Sequence, residues 1–186
     1  MSRSRAFCRP WSSPLLRRAI YSPSVASKPK RIIVGITGAT GAASITIKYE
    51  TEVPDAHLRS LATYNYSARD LAAPISSGSF LHDGMIVIPC SIKTLAAVRM
   101  GYYKDLIARA ADVSLKKGRK LILVVRETPL SKIYLENMLA LRRAGAVIFP
   151  PVPAFYTKPQ GLDNLVDQSI IRMLDNFGIT LETSPR

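Results

Sequence analysis

The amino-acid sequence predicts an α/β fold built on a mostly parallel sheet. Four short apolar runs, at 31–36, 84–90, 120–127 and 146–149, alternate with longer stretches of helical periodicity. The runs lack polar alternation, as expected of strands covered on both faces. The first passes into Thr37-Gly38-Ala39-Thr40-Gly41, and a strand leading into a Gly/Thr loop is how phosphate sites on open α/β sheets commonly begin.

Taken in order, run 31–36 is a β-branched first strand. The two glycines after it allow close backbone approach, and exposed N–H groups with Thr hydroxyls suit a phosphate. Segment 43–51 is β-branched and short, where a parallel crossover needs about a dozen residues or more. Residues 53–73 mix short helical pattern with loop. Ala73-Pro74-Ile75-Ser76-Ser77-Gly78-Ser79 reads as plain loop on its turn chemistry.

Run 84–90 is the second strand, and Ser91 at its end suits either a helix N-cap or a second phosphate- or ring-contacting turn. A helix over 105–117 places Arg109, Asp112 and Lys116 on one face, with a solvated Asp112–Lys116 pair as its simplest use. Run 120–127 is the third strand and ends in Arg126 and Glu127. Thr128-Pro129 then supplies a cap and first-turn proline for a helix with Leu135, Met138 and Leu139 inward. Strand 146–149 closes at Pro150-Pro151-Val152-Pro153, and 154–159 follows as a stiff aromatic loop. The last helix carries an apolar stripe at Leu162, Leu165, Val166, Ile170, Met173, Leu174 and Phe177, with Arg172 at its edge and Gly178 as terminator. The domain therefore spans 31–178, and 179–186 is a C-terminal tail.

A chain of 186 residues that is 47% hydrophobic can bury a real core. Cys8 and Cys90 stand too far apart for a disulfide framework or a zinc-like spacing. No apolar run approaches the ~20 residues of a membrane span, so no membrane role is expected. The net charge is +13, but eight of the 26 basic residues lie in 1–31, and the first acid is Glu50. That leader also holds seven serines and no central apolar block, which is the composition of a mitochondrial presequence over 1–30. Without interleaved aromatics it does not read as a nucleic-acid arm.

His57 and His82 fall in predicted loops as solvated groups, and there is no Gly-x-Ser-x-Gly turn, His/Cys cluster or Asp-rich magnesium motif. The strand ends and adjoining loops offer instead the cations Lys116, Arg126 and Arg172, the phenol of Tyr156, and the carboxylates Glu50 and Glu127. Such a set suits a metal-free phosphate or carboxylate site. Fixed cations stabilise charge on a leaving oxygen, and a nearby carboxylate moves a proton.

Six motifs in order carry a resemblance. They are Gly38-Ala39-Thr40-Gly41-Ala42, Ala73-Pro74-Ile75-Ser76-Ser77-Gly78-Ser79, Pro89-Cys90-Ser91-Ile92-Lys93-Thr94-Leu95, Leu106-Ile107-Ala108-Arg109-Ala110-Ala111-Asp112, Val125-Arg126-Glu127-Thr128-Pro129 and Pro153-Ala154-Phe155-Tyr156. Across residues 30–178 the chain resembles the flavin prenyltransferases (UbiX type), in particular the fungal mitochondrial branch formerly called phenylacrylic acid decarboxylase. The resemblance implies a flavodoxin-like or Rossmann-like three-layer fold that binds reduced FMN and assembles as a homododecamer. It implies transfer of a dimethylallyl group from dimethylallyl phosphate to flavin N5 and C6, making prenylated FMN for a partner decarboxylase. The family's FMN contacts fall on Gly38, Ala39, Thr40, Ser91, Ile92, Lys93, Thr94 and Arg126. Its prenyl-phosphate contacts fall on Lys116, Arg126, Tyr156 and Arg172, with Arg109 supporting. Glu50 and Glu127 match its proton-transfer pair, and Thr40 keeps the hydroxyl of the serine found in many members.

One departure is large. The family has a crossover helix, a second strand and a Ser-Lys turn between the glycine loop and the segment around Glu50, and this chain is about two dozen residues shorter there. Loss of that helix is expected to leave apolar sheet uncovered and to weaken flavin binding. A non-catalytic relative with poor flavin affinity is therefore the alternative reading. An FMN-dependent decarboxylase is disfavoured by the absence of a Pro-Ala-Ser-Ala-Asn-Thr-like segment. A reporter fused behind residues 1–30 is expected to enter mitochondria; cytosolic retention in a fractionation assay would refute the presequence reading.

Overall fold

In a computed structural model of the chain, residues 29–37, 53–103 and 105–180 are described. Four strands, β1 (Ile32–Gly35), β2 (Gly84–Cys90), β3 (Lys120–Val125) and β4 (Val147–Ile148), form a sheet of order β1-β2-β3-β4 among these residues. All three pairings are parallel, with Ile33 opposite Met85, Ile86 opposite Ile122 and Leu123 opposite Ile148. Helix α1 (Asp55–Ser60) precedes β2, α2 (Ile92–Met100) and α3 (Leu106–Lys116) link β2 to β3, α4 (Lys132–Arg143) links β3 to β4, and α5 (Leu162–Asp175) follows β4.

Alternate side chains of the central strands explain the layering. Met85, Val87, Leu121, Leu123 and Val125 pack with Leu95, Val98, Ala111, Met138 and Leu141 of α2, α3 and α4. Ile86, Ile122 and Val124 point the other way, onto Met173 and Phe177 beside α5. Each such fully buried aliphatic contributes about 1.5–3 kcal/mol relative to an exposed position. Among the described residues, α2, α3 and α4 on one face and α5 on the other make the expected three-layer α/β architecture. On β1 the α5 side is open: Val34 and Ile36 stay 57% and 41% exposed. The shortened crossover at 38–52 lies outside the described residues, as do 1–28 and 181–186.

Several local expectations need correction. The third connecting helix begins not at Thr128-Pro129 but at Lys132, because Ser131 provides the side-chain cap, accepting from the Tyr134 N–H at 3.3 Å. Leu135 and Leu139 are half exposed, while Tyr134, Met138 and Leu141 face the core. Two adjacent apolar stripes compete on that helix, and only one can face the sheet. Leu162, in the first turn of α5, is likewise exposed, whereas Ile170, Met173 and Phe177 of the same stripe pack on the sheet. Asp112 pairs with Arg109 at 3.5 Å, one turn back, rather than with Lys116.

His82 is not solvated. It is buried beside Phe80, its Nδ1 lies 3.1 Å from the Gly84 carbonyl, and its Nε2 is the only buried side-chain polar atom without a partner among the described residues. Burial holds its pKa below the ordinary value, the Gly84 hydrogen bond opposes this, and the Arg119 charge reinforces it. Unfolded chain then binds the extra proton first, so its contribution to stability is complete above about pH 6.5 and falls on acidification below it.

Gly84, where β2 starts, is required by close approach. A Cβ there would stand 2.7 Å from the Lys120 carbonyl oxygen and 2.3 Å from Phe177 Cε1. Because one obstacle is backbone and the other a buried ring, neither gives way readily, and Gly84→Ala is expected to lower stability by about 1–3 kcal/mol, read as a drop in Tm.

Candidate functional site

A parallel sheet brings every strand's carboxyl end to one edge, and a single hydroxyl ties the ends of β1 and β2 there. Thr37, two residues past β1, is buried; its Oγ1 donates to the Pro89 carbonyl at 2.8 Å and accepts from the Ser91 N–H at 2.9 Å. Its own N–H donates to the same carbonyl at 3.3 Å. Ser91 caps α2: its Oγ accepts from the Thr94 N–H at 3.3 Å and lies 3.0 Å from Thr94 Oγ1. The capped N-terminus of α2 thus stands at the edge with its positive dipole end outward. Cys90 pairs with Val125, so Ser91 and Arg126 follow side by side off neighbouring strands.

Arg126 and Glu127 are exposed at this edge, and Glu127 Oε1 accepts from the Thr128 N–H at 3.2 Å. Ile92 packs against the core, Lys93 is exposed and Thr94 is buried. Because the Ser91 and Thr94 hydroxyls already serve each other, the described part of this edge offers an anion the helix terminus and the charges of Lys93 and Arg126. The Cys90 thiol is pushed up to about 12 by burial, so it is a neutral packing group and no nucleophile. Gly38, Ala39, Thr40 and Glu50 lie outside the described residues.

The other predicted cations are not at this edge. Helix α3 runs antiparallel to the strands, so Lys116 falls four residues before Lys120, the first residue of β3, whereas Arg126 follows its last. Six strand residues separate the two by roughly 20 Å. Arg172 sits on the last turn of α5, and Phe177 just beyond it packs on Gly84 at the start of β2. The placement of Lys116 and Arg172 with the strand ends is therefore corrected for one protomer. Tyr156 is 76% exposed in a 3-10 turn (Phe155–Thr157) after β4. Arg109 is engaged: its Nε donates to the Ser76 carbonyl at 3.1 Å, and its guanidinium lies 4.5 Å from the Tyr103 ring centroid. The sequence offered the Thr37 hydroxyl to a phosphate, whereas the structure uses it as a brace to Pro89 and Ser91. Sequence reasoning missed Arg119, which no pattern marked.

The Flavoprotein family profile matches residues 50–172. The mitochondrial flavin prenyltransferase PAD1 of Saccharomyces cerevisiae is 54% identical over an alignment covering 91% of this chain and 78% of the yeast protein. The chain belongs to the flavin prenyltransferase family. Two solved structures agree. One is AnUbiX (PadA1) in complex with FMN and dimethylallyl pyrophosphate, 49% identical, TM-score 0.78, covering 86% of this chain and 100% of that one. The other is the dodecameric FMN-dependent UbiX-like decarboxylase from Escherichia coli O157:H7, 47% identical, TM-score 0.80, covering 84% and 98%.

The flavin prenyltransferase alignment also measures the shortening. It runs over 193 positions yet takes in 91% of 186 residues, so about two dozen yeast positions face gaps here. For an FMN phosphate the described part of the carboxyl edge fits on its donor chemistry: a capped helix N-terminus beside an arginine. Among the described residues, no group of three or more His, Cys, Asp or Glu could hold a metal ion, and no helix is long and apolar enough to cross a membrane.

Thr37→Val keeps the shape and removes both side-chain hydrogen bonds. It is expected to cost about 1–3 kcal/mol and to weaken FMN binding, measured by thermal melting and flavin fluorescence titration. Unchanged values in both would show that the brace is dispensable.

Proposed function

We propose that the protein transfers a dimethylallyl group from dimethylallyl phosphate to reduced FMN, and that the prenylated FMN serves a partner decarboxylase. The observation that carries this is the 54% identity to a flavin prenyltransferase across 91% of the chain. The structural likeness to a relative solved with FMN and dimethylallyl pyrophosphate supports it. In this reading residues 31–178 are the working domain and 1–30 a mitochondrial presequence, supported by the leader's composition and the yeast relative's mitochondrial name.

When bound, reduced FMN supplies N5 and C6 as nucleophilic centres. Gly38, Ala39 and Thr40 hold it with Ser91, Ile92, Lys93, Thr94 and Arg126, whose phosphate-binding elements are backbone N–H groups and one guanidinium. Lys116, Arg126, Tyr156 and Arg172 hold the prenyl phosphate, with Arg109 supporting. As the allylic C–O bond breaks, the electron pair leaves on the phosphate, and fixed cations stabilise that charge. Glu50 and Glu127 move the protons that must leave the acceptor. Lys116 and Arg172 stand away from the carboxyl edge, so a second copy must bring them to it. This supports the reading as a homo-oligomer, a dodecamer by analogy with the E. coli relative. Large apolar side chains at the surface, among them Ile133 at 65% and Phe155 at 67% exposed, give such an assembly something to bury.

A second reading, a non-catalytic relative that assembles but retains little flavin, draws on the shortened segment and the open Val34–Ile36 face. Incubation of the purified protein with reduced FMN and dimethylallyl phosphate decides between them. The proposed function expects a flavin heavier by the prenyl group; an unchanged flavin mass, with oligomers that elute free of FMN, favours the second. Glu50→Gln is expected to slow transfer at least about a hundredfold with FMN still bound. Normal turnover in that variant would remove Glu50 from the mechanism.

A further inference from the structure

The Ser/Gly loop between Ala73 and Phe80 has no part in the reaction as described, yet it is the most heavily braced loop near a predicted substrate cation. Three alternate carbonyls along it are taken by two arginines. Arg109 Nε donates to the Ser76 carbonyl at 3.1 Å, Arg119 Nη2 to the Gly78 carbonyl at 3.0 Å, and Arg119 Nη1 to the Phe80 carbonyl at 2.7 Å. These arginines bracket Lys116. Arg109 lies seven residues before it on the same face of α3, and Arg119 lies three after it in the turn that ends the helix. The loop also touches that turn directly, since a Cβ on Gly78 would meet Lys117 Cε at 2.5 Å.

The turn is otherwise held only by backbone. Gly118 at φ +62 donates to Leu115 O at 3.0 Å, and the Arg119 N–H donates to Ser114 O at 2.8 Å. A helix C-terminus frays unless its last turn is tied down. Arg119 is half-buried, and its forked guanidinium spans two carbonyls, which a lysine cannot do. Taken together, the loop, the turn and the last turn of α3 form one rigid unit, with Lys116 projecting from it.

We propose that Arg119 is a positioning residue for the prenyl-phosphate site: by clamping the Gly78 and Phe80 carbonyls it fixes the end of α3, and so the place from which Lys116 presents its charge to a neighbouring copy. This rests on the assignment of Lys116 to the phosphate. Arg119 itself touches no substrate and no cofactor. A displacement of the supporting backbone by about 1 Å can cost a bound group a large factor in affinity.

The test uses the full chain, assembled and loaded with oxidised FMN, which cannot take up the prenyl group, so that dimethylallyl phosphate binds without being consumed. Dimethylallyl phosphate affinity is measured by equilibrium dialysis, FMN affinity by fluorescence, and assembly by size exclusion. Arg119→Ala is expected to weaken dimethylallyl phosphate binding about tenfold with FMN affinity within about twofold of the parent. Arg119→Lys keeps one of the two bonds and is expected to lose about threefold; it serves as the readout should the alanine variant fail to assemble. Arg119→Ala combined with Lys116→Ala should bind no more weakly than Lys116→Ala alone, because both act through one charge.

Parent-like affinity in Arg119→Ala, with a loss in Lys116→Ala, overturns the proposal and leaves the assignment of Lys116 standing. Equal losses of FMN and dimethylallyl phosphate in both Arg119 variants also overturn it, since that is the mark of a purely structural role. Unchanged affinity in Lys116→Ala removes the assignment of Lys116 and the proposal with it. A parent protein that binds no dimethylallyl phosphate does the same and overturns the proposed function as well.

Discussion

Burial of β2 and β3 on both faces decides where everything else can go. Their side chains alternate between two apolar clusters, and their parallel pairing obliges each crossover to run back along the sheet. Strand ends and crossover starts therefore share one edge, and crossover ends share the other. Ser91, Arg126 and Glu127 go to the first, and Lys116 goes to the second. Cations divided in this way cannot close around one small ligand in a single protomer.

Two parts of the molecule are made rigid by small sets of hydrogen bonds to backbone carbonyls. At the carboxyl edge the Thr37 hydroxyl ties the end of β1 to Pro89 and Ser91, and Ser91 in turn caps α2. Along α3, Arg109 near its start and Arg119 just past its end tie the Ser/Gly loop to the helix and the turn that closes it. A neutral hydroxyl is enough where two strands already lie in register. Charged forks serve where a loop has no ladder of its own, since a charge-assisted bond is roughly twice as strong as a neutral one.

Much of this was legible in the sequence, and the exceptions have a common cause. The strands were read to within two residues, because apolar runs bounded by Gly, Pro and charged residues have few other uses. Ser91 was read as a cap, because a hydroxyl between a strand and a helical pattern has a strong local reason to be one. The helix start placed at Thr128-Pro129 belonged to Ser131, another local cap only three residues on. Leu135 and Leu139 looked as inward as Met138, and periodicity cannot choose between adjacent stripes without knowing where the sheet lies. His82 looked solvated because its partners Phe80 and Gly84 lie beside it in sequence without announcing the fold that buries it.

By itself the sequence determined the α/β class, the family, and the residue types available for phosphate chemistry. These are carried by short-range patterns: apolar runs, caps, glycine loops and ordered motifs. The tertiary structure alone decided which of those residues share an edge. Lys116 and Arg126 are ten positions apart in the chain and stand at opposite ends of one strand, while Thr37 and Ser91 are far apart in the chain and share a hydrogen bond. The reason is that a strand carries the chain steadily away from its start, whereas sheet pairing brings distant segments together. No local rule contains either distance.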